Sequence, residues 1–308
     1  RARADIWRSM RSGPAGVLAP SRPDRMLRQM SALARWGATV VGGYAAAAGR
    51  SPDDLAVIDE QSSRTFAEVD ERSTRLANGL ADQGVDAGTA VVESIIACGK
   101  LGAHVLLLNT GLSARQVTEV VRRHDPVALL GDDEFAPLTR YVPAELPWIR
   151  TWPDDVVAGG TIDELIDAAP AERLAPTEDP GRIVVLTSGT TGTPKGARRP
   201  TPKGLGTAAA VLSRIPFRAG ERMMVAAPLF HTWGLAAMQL SMPLRASLVL
   251  QRRFDASAVL RGISEHRCTA LIAVPIMLQR ILDLPDYVRD RYDLSSLRIV
   301  ASSGAAMS

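Results

Sequence analysis

Eight short runs of β-branched or Leu-rich residues, separated by amphipathic stretches, set the strongest limit on what this 308-residue chain can become. The runs are Leu55 to Ile58, His104 to Leu108, Val127 to Leu130, Ile183 to Leu186, Met224 to Ala226, Leu248 to Leu250, Leu271 to Val274 and Arg298 to Ala301. Between them, at Phe66 to Ala81, Ala114 to Arg123, Ala256 to His266 and Ile276 to Leu282, apolar residues recur at the spacing of one helix face. Strands alternating with helices pack as parallel sheets covered by helices, so the expected class is α/β, with two related subdomains. The expected division is a basic helical segment over residues 1–50, a first subdomain over 51–141, a connection over 142–181 and a second subdomain over 182–308. The connection is assigned from its six prolines and many acidic residues.

An ungapped internal similarity supports two related halves. At a constant offset of 142 residues, Leu107, Val117, Val121, His124, Ala128 and Leu129 meet Val249, Val259, Ile263, His266, Ala270 and Leu271. Any two strand-helix-strand units share part of that pattern, so an internal duplication and a common local geometry both remain open. In either case His124 and His266 fall where a helix ends, a place where a cationic side chain favours the helix dipole.

The net charge of +3 is unevenly spread: residues 1–50 sum to +7 and the remainder to −4. Within the basic start, Arg22 to Arg35 carries Met26, Leu27, Met30, Leu33 and Trp36 at helical spacing. Such a helix either packs on the domain with a solvated face or rests on an anionic membrane surface. Aromatic residues are too scattered for a nucleic-acid stacking platform, and no zinc, helix-turn-helix or RNA-recognition pattern occurs. Cys98 and Cys268 lie far apart in apolar settings, which gives neither a disulfide framework nor a CxxC site and fits a reducing cytoplasm. The uncharged run Met223 to Leu244 is long enough to span a bilayer, but Pro228, His231, Gln239 and Pro243 make it read as a buried strand, a turn and a small helix. The Arg-rich start has no contiguous apolar core of the kind a signal peptide needs.

The chemistry is concentrated after the run Ile183-Val-Val-Leu186, where nine consecutive residues from Thr187 to Lys195 are all Thr, Ser, Gly, Pro or Lys. In α/β proteins ligands bind at loops that follow strands. Gly189, Gly192 and Gly196 allow positive φ and close backbone approach, so successive amides can turn toward an anion. Thr187, Ser188, Thr190, Thr191 and Thr193 add hydroxyl donors, and Lys195 adds a mobile positive charge. Only three lysines occur against 33 arginines, which makes a lysine at this place hard to ascribe to composition. The pattern suits a polyphosphate. It is not a Walker loop, which needs Gly, four residues, then Gly-Lys-Ser/Thr, whereas Lys195 here follows Pro194 and precedes Gly196.

Residues 187–196 match at every position the signature Thr/Ser-Ser-Gly-Thr-Thr-Gly-x-Pro-Lys-Gly, and on this the chain resembles the adenylate-forming enzymes, most of all the acyl-CoA synthetases. Arg64-Thr-Phe-Ala-Glu68, Gly102-Ala-His-Val-Leu-Leu-Leu-Asn109 and Ala227-Pro-Leu-Phe-His-Thr-Trp-Gly234 extend the resemblance over most of the chain. By itself His231 reads as a turn histidine; the resemblance implies that it borders the acyl pocket and the reacting carboxylate. Phe230 and Trp233 would then line that pocket, although an ordinary packed Trp fits the sequence equally well. The segment Ser302-Ser-Gly-Ala-Ala306 is a simple turn by composition, and the resemblance implies that Ser303, Gly304, Ala305 and Ala306 lie along the adenine.

The reaction so implied has two halves: a carboxylate attacks the α-phosphorus of ATP and expels pyrophosphate, and a thiol, usually coenzyme A, then displaces AMP. Thr191, Lys195 and His231 are the expected catalytic residues, with ATP, Mg²⁺ and coenzyme A taking part and no metal ligand within this chain. The family's acidic magnesium motif, its ribose-binding motif and the small domain carrying a further lysine would all fall beyond Ser308, so the chain by itself is expected to be inactive. Near Thr89 to Glu93 the family's usual longer strand is replaced by Val91-Val92 running directly into Glu93, which points to an omitted stretch or a deletion. The leading reading is a ligase joining a fatty or medium-chain acid to coenzyme A. An acyl-AMP ligase or adenylation domain that loads a carrier protein is the second, and a non-catalytic AMP-binding module at a membrane surface is the third. No nucleic acid is expected; peripheral membrane contact through residues 1–50 and a homodimer are further candidate associations.

Overall fold

The computed structural model describes residues 16–17, 19–83, 91–154, 160–178, 181–187, 195–197 and 211–304. Its first elements are helix α1 (Pro23–Trp36), α2 (Val40–Arg50), strands β1 (Leu55–Ile58) and β2 (Ser63–Thr65), α3 (Phe66–Gln83) and α4 (Val91–Leu101). There follow β3 (Val105–Leu107), α5 (Ala114–His124), β4 (Leu129–Gly131), β5 (Trp148–Arg150), α6 (Ile162–Ala168), β6 (Ile183–Thr187) and β7 (Lys195–Ala197). The chain continues through β8 (Arg222–Val225), α7 (Thr232–Leu244), β9 (Ser247–Leu250), α8 (Ala256–Glu265), β10 (Ala270–Ala273), α9 (Pro275–Leu282), α10 (Asp286–Arg289) and β11 (Ile299–Ser302).

Two compact units arise, and neither is continuous in sequence. One comprises residues 1–38, 42–67 and 202–308; the other comprises 39–41 and 68–201. The expected boundaries at 141 and 181 do not coincide with this division, because β1 pairs with β9 and thereby joins residues 55–65 to the last third of the chain. Residues 142–181 are more than a connection. β5 pairs with β4, and α6 starts at a capping box in which Thr161 and Glu164 satisfy each other's backbone amides. Ile149, Ile162 and Ile166 are buried with Leu76, Leu80 and Ala97 in the core of the second unit, which explains why this proline-rich stretch is ordered there.

The first unit is built on a six-stranded sheet in the order β11-β10-β8-β9-β1-β2. Five strands are parallel, and β2 pairs antiparallel with β1 at the edge. Central strands buried on both faces read as unbroken apolar runs, and Ala270 to Ala273 are all buried. Val259, Leu260 and Ile263 of α8 pack on Met224, Val249 and Leu271. Gly262 lets α8 come close to β8, since a Cβ there would lie 3.3 Å from the Met224 sulfur. Tyr44, buried at 1 % exposure, shares a 3.2 Å hydrogen bond with Ser241 of α7, and burial raises its phenol pKa.

The second unit contains a three-stranded sheet, β3-β6-β7, and the pair β4-β5. β3 and β6 run parallel, whereas β7 returns antiparallel to β6, so the sheets are mixed. Lys100 is 3 % exposed and donates to the Asp70 carboxylate at 2.8 Å, the Asp70 carbonyl at 2.7 Å and the Ser73 and Thr74 hydroxyls at 3.0 and 2.7 Å. Burial lowers its pKa against the opposing pull of Asp70. This lysine is fully engaged in holding α3 to α4.

The offset of 142 residues carries through to the backbone. β3-α5-β4 and β9-α8-β10 occupy corresponding positions, with N-caps at Ser113 and Asp255 and left-handed residues at Asp125 (φ 45°) and Arg267 (φ 50°). His124 ends α5 and His266 caps α8, as the sequence pattern predicts.

Candidate active site

Parallel strands direct their carboxyl ends to one edge of the sheet, and the turns that leave that edge are where α/β folds bind ligands. In the six-stranded sheet, β8 leads there into Ala226 to Phe230, and His231 caps the following helix α7. The turn is fixed from three sides. Ala226 and Ala227 donate their amides to the Ile272 carbonyl at 2.9 and 3.1 Å, the His231 amide donates to Pro228 at 2.9 Å, and the Trp233 indole N–H donates to the Ala301 carbonyl at 3.0 Å. Gly234 is required by packing, because a Cβ at this position would run into the carbonyl oxygens of Ala227 and Pro228.

Within this frame His231 Nδ1 accepts the backbone N–H of Trp233 at 3.2 Å. The neutral ring therefore carries its proton on Nε2. That nitrogen faces the turn after β11: a Cβ built on Gly304 would lie 3.4 Å from His231 Cε1, 3.6 Å from Nε2 and 3.8 Å from Val274. Gly304 has φ 115°, a conformation in which a side chain is strained whatever the space. Phe230, His231 and Trp233 are half-buried, and Ser303 and Gly304 are exposed. The structure thus brings Phe230, His231, Trp233, Ser303 and Gly304 to neighbouring turns of one sheet edge, while Ala305 and Ala306 lie outside the described residues.

Two oxygens on this edge were not among the expected site residues. The Ser302 hydroxyl and the Gln251 side-chain carbonyl are buried with no hydrogen-bond partner among the described residues. Buried polar atoms are nearly always paired, and exceptions gather where a ligand or water completes the set. Ser302 ends β11 beside the small-residue turn, a position the sequence does show; Gln251 follows β9, and nothing in the sequence singles it out.

The strands that flank the Thr/Ser/Gly segment belong to the other unit. They are β6 and β7, with Thr187 opposite Lys195 and Leu186 opposite Gly196 in antiparallel register. Ser188, Gly189, Thr190, Thr191, Gly192 and Thr193 lie outside the described residues. Among the described residues there is no cluster of three or more His, Cys, Asp or Glu side chains able to hold a metal ion.

These features define an α/β protein with half-buried polar turns on the carboxyl edge of a parallel sheet and a strand pair, β6 and β7, that brackets a segment rich in Thr, Ser and Gly. A family model described as AMP-binding enzyme matches residues 44–308, and the chain belongs to that family. It is 32% identical over 266 residues to a feruloyl-CoA synthase from an Amycolatopsis species, a match covering 83% of this chain and 52% of that protein. The crystal structure of o-succinylbenzoate coenzyme A synthetase from Bacillus subtilis in complex with AMP is 27% identical and superposes with a TM-score of 0.70, covering 86% of this chain and 54% of that one. The N-terminal domain of FACL13 from Mycobacterium tuberculosis, 24% identical, shares the fold with a TM-score of 0.75 over 88% of this chain and 71% of its own. The chain spans about half the length of the curated relatives it matches.

Proposed function

We propose that the protein activates a carboxylic acid as its acyl-adenylate and passes the acyl group to coenzyme A. The observation that carries this reading is the hairpin whose stems set Thr187 opposite Lys195 at the ends of the adenylate-forming signature. The substrate carboxylate attacks the α-phosphorus of ATP and pyrophosphate leaves; the coenzyme A thiolate then attacks the acyl carbonyl and AMP leaves. Charge builds on phosphate oxygens in the first step, and the donors that the 187–196 sequence supplies, amides, hydroxyls and a lysine ammonium, are of the kind that lowers its barrier. His231 Nε2–H is suited to orient the carboxylate, because Nδ1 is already committed to the Trp233 amide. Mg²⁺ would supply further neutralisation of the polyphosphate when bound.

For the acid itself two readings have separate support. The Phe-His-Thr-Trp-Gly segment and its Ala, Leu and Met surroundings favour a fatty or medium-chain acid, whereas the names of the feruloyl-CoA and o-succinylbenzoate relatives favour an acid bearing an aromatic ring. Acid-dependent ATP–pyrophosphate exchange by the full-length protein, with octanoate, ferulate and 2-succinylbenzoate in parallel, tests the reaction and separates the two. Coenzyme A against a phosphopantetheinyl carrier protein distinguishes a ligase from an adenylation domain. No exchange with any acid would favour a non-catalytic AMP-binding module. Lys195→Ala and Thr191→Ala should each weaken ATP use by about 1–3 kcal/mol, and exchange at wild-type level in both would remove the loop from the mechanism.

A further inference from the structure

Helix α1 lies ahead of residue 44, where the family match begins, and it is docked in an unusual sense. The side turned to its unit is held by polar contacts. Arg25 donates to the Arg50 carbonyl at 3.4 Å and to Asp53 at 3.2 Å, and Arg50 donates to Gln29 at 3.0 Å and to the Ala19 carbonyl. Gly49 of α2 permits the close approach, since a Cβ there would lie 3.0 to 3.1 Å from the Arg28 and Gln29 backbone. With Arg25, Gln29, Ala32 and Trp36 on the inner side, the 100° turn per residue sends Met26, Leu27, Met30 and Leu33 outward.

Those four side chains are 45, 71, 64 and 36 % exposed, and α1 contributes no buried residue. The helix packs on its unit, one of the two readings open from sequence, but it does so without its apolar stripe, which stays exposed. Arg22 and Arg28 border the stripe with side chains 75 and 58 % exposed and share one acid, Asp24, at 3.3 and 2.9 Å, so positive charge is in excess. Arg35, also exposed, extends the same border. No helix among the described residues is long and apolar enough to cross a membrane.

We propose that α1 is a docking surface for an anionic lipid bilayer, lying in the plane of the interface with Met26, Leu27, Met30 and Leu33 inserted and Arg22, Arg28 and Arg35 among the headgroups. An apolar strip beside an arginine border is complementary to acyl chains beneath anionic phosphates. The fixed polar docking of the inner side means that insertion requires no refolding of the unit.

The experiment is vesicle flotation of the full-length protein with phosphatidylcholine alone or with added phosphatidylglycerol. Wild type should float with the anionic vesicles, far less with phosphatidylcholine, and progressively less as sodium chloride is raised. Leu27→Glu/Met30→Glu should reduce flotation about tenfold with the urea-unfolding midpoint unchanged, because both side chains are solvent-exposed. Arg22→Glu, which leaves the stripe intact, should weaken it in the same direction and guards against misfolding of the double variant. Flotation indifferent to phosphatidylglycerol, or undiminished in these variants, overturns the proposal. So does absence of flotation, including the case in which light scattering shows a dimer that Leu27→Glu/Met30→Glu disperses, which would assign the face to a second copy.

Discussion

The two edges of the six-stranded sheet differ in how completely their polar groups are satisfied. At the amino edge Glu221 is 3 % exposed and accepts from Arg298, the Thr269 hydroxyl and the Arg218 amide, while Arg222 donates to the His266 carbonyl at 2.9 Å and the Ser247 hydroxyl donates to Leu55 at 2.7 Å. At the carboxyl edge the Ser302 and Gln251 oxygens have no partner among the described residues, and His231 has one ring nitrogen engaged by the backbone. A closed network stabilises, and unfilled hydrogen-bonding capacity is what a ligand can use. The unfilled capacity lies at the carboxyl edge, where the proposed reaction would place its acid.

Substitutions on either edge can break this contrast. The largest effect is expected for Glu221→Ala, which removes the acceptor shared by Arg298, the Thr269 hydroxyl and the Arg218 amide and should cost about 2–3 kcal/mol in urea denaturation while adenylation per folded molecule is retained. Wild-type stability would show that the amino edge is not a network. Gly304→Val forces a side chain onto φ 115° beside His231, and the strain of about 1–3 kcal/mol should appear as loss of pyrophosphate exchange. His231→Ala should raise KM for the acid about tenfold, equivalent to about 1.4 kcal/mol, with KM for ATP little changed. His231→Asn retains a capping acceptor for the Trp233 amide and thus separates helix capping from substrate contact. The smallest effect is predicted for Ser302→Ala: stability within about 1 kcal/mol of wild type, since no partner is lost, but weaker ligand use. If Ser302→Ala destabilises as Glu221→Ala does, the two edges are equivalent and the contrast fails.

What was legible from sequence follows a physical division. Leu55–Ile58 was readable as an unbroken apolar run, and the helices starting at Ala114 and Ala256 because one-sided burial imposes a period on apolar residues. Helix α2, Val-Val-Gly-Gly-Tyr-Ala-Ala-Ala-Ala-Gly-Arg, falls within the helical segment expected over residues 1–50 but has no bounds legible in sequence, because small residues at its contacts erase that period. Gly43 and Gly49 sit against Met242 and Arg28, where glycine is a packing choice rather than a helix breaker. β7 has three residues and no pattern of its own; it exists through pairing with β6. In α6 the Thr161-x-x-Glu164 cap was a usable signal, masked by the surrounding prolines. For the site, the loop motif was visible as a string, and His231 gained its place only through resemblance. The Trp233 link to Ala301 spans 68 positions, and whether Ser302 finds a partner depends on what the fold places around it.

The pairing of Thr187 with Lys195 sets the length of the segment between them. Seven residues separate two positions that the antiparallel ladder holds together, so the closure entropy of that span is offset by strand pairing and grows only logarithmically with length. A one-residue slip of either stem would invert every side chain along it, so the register of β6 and β7 fixes where the signature begins and ends. The two strands therefore act as a ruler for the segment that they bracket.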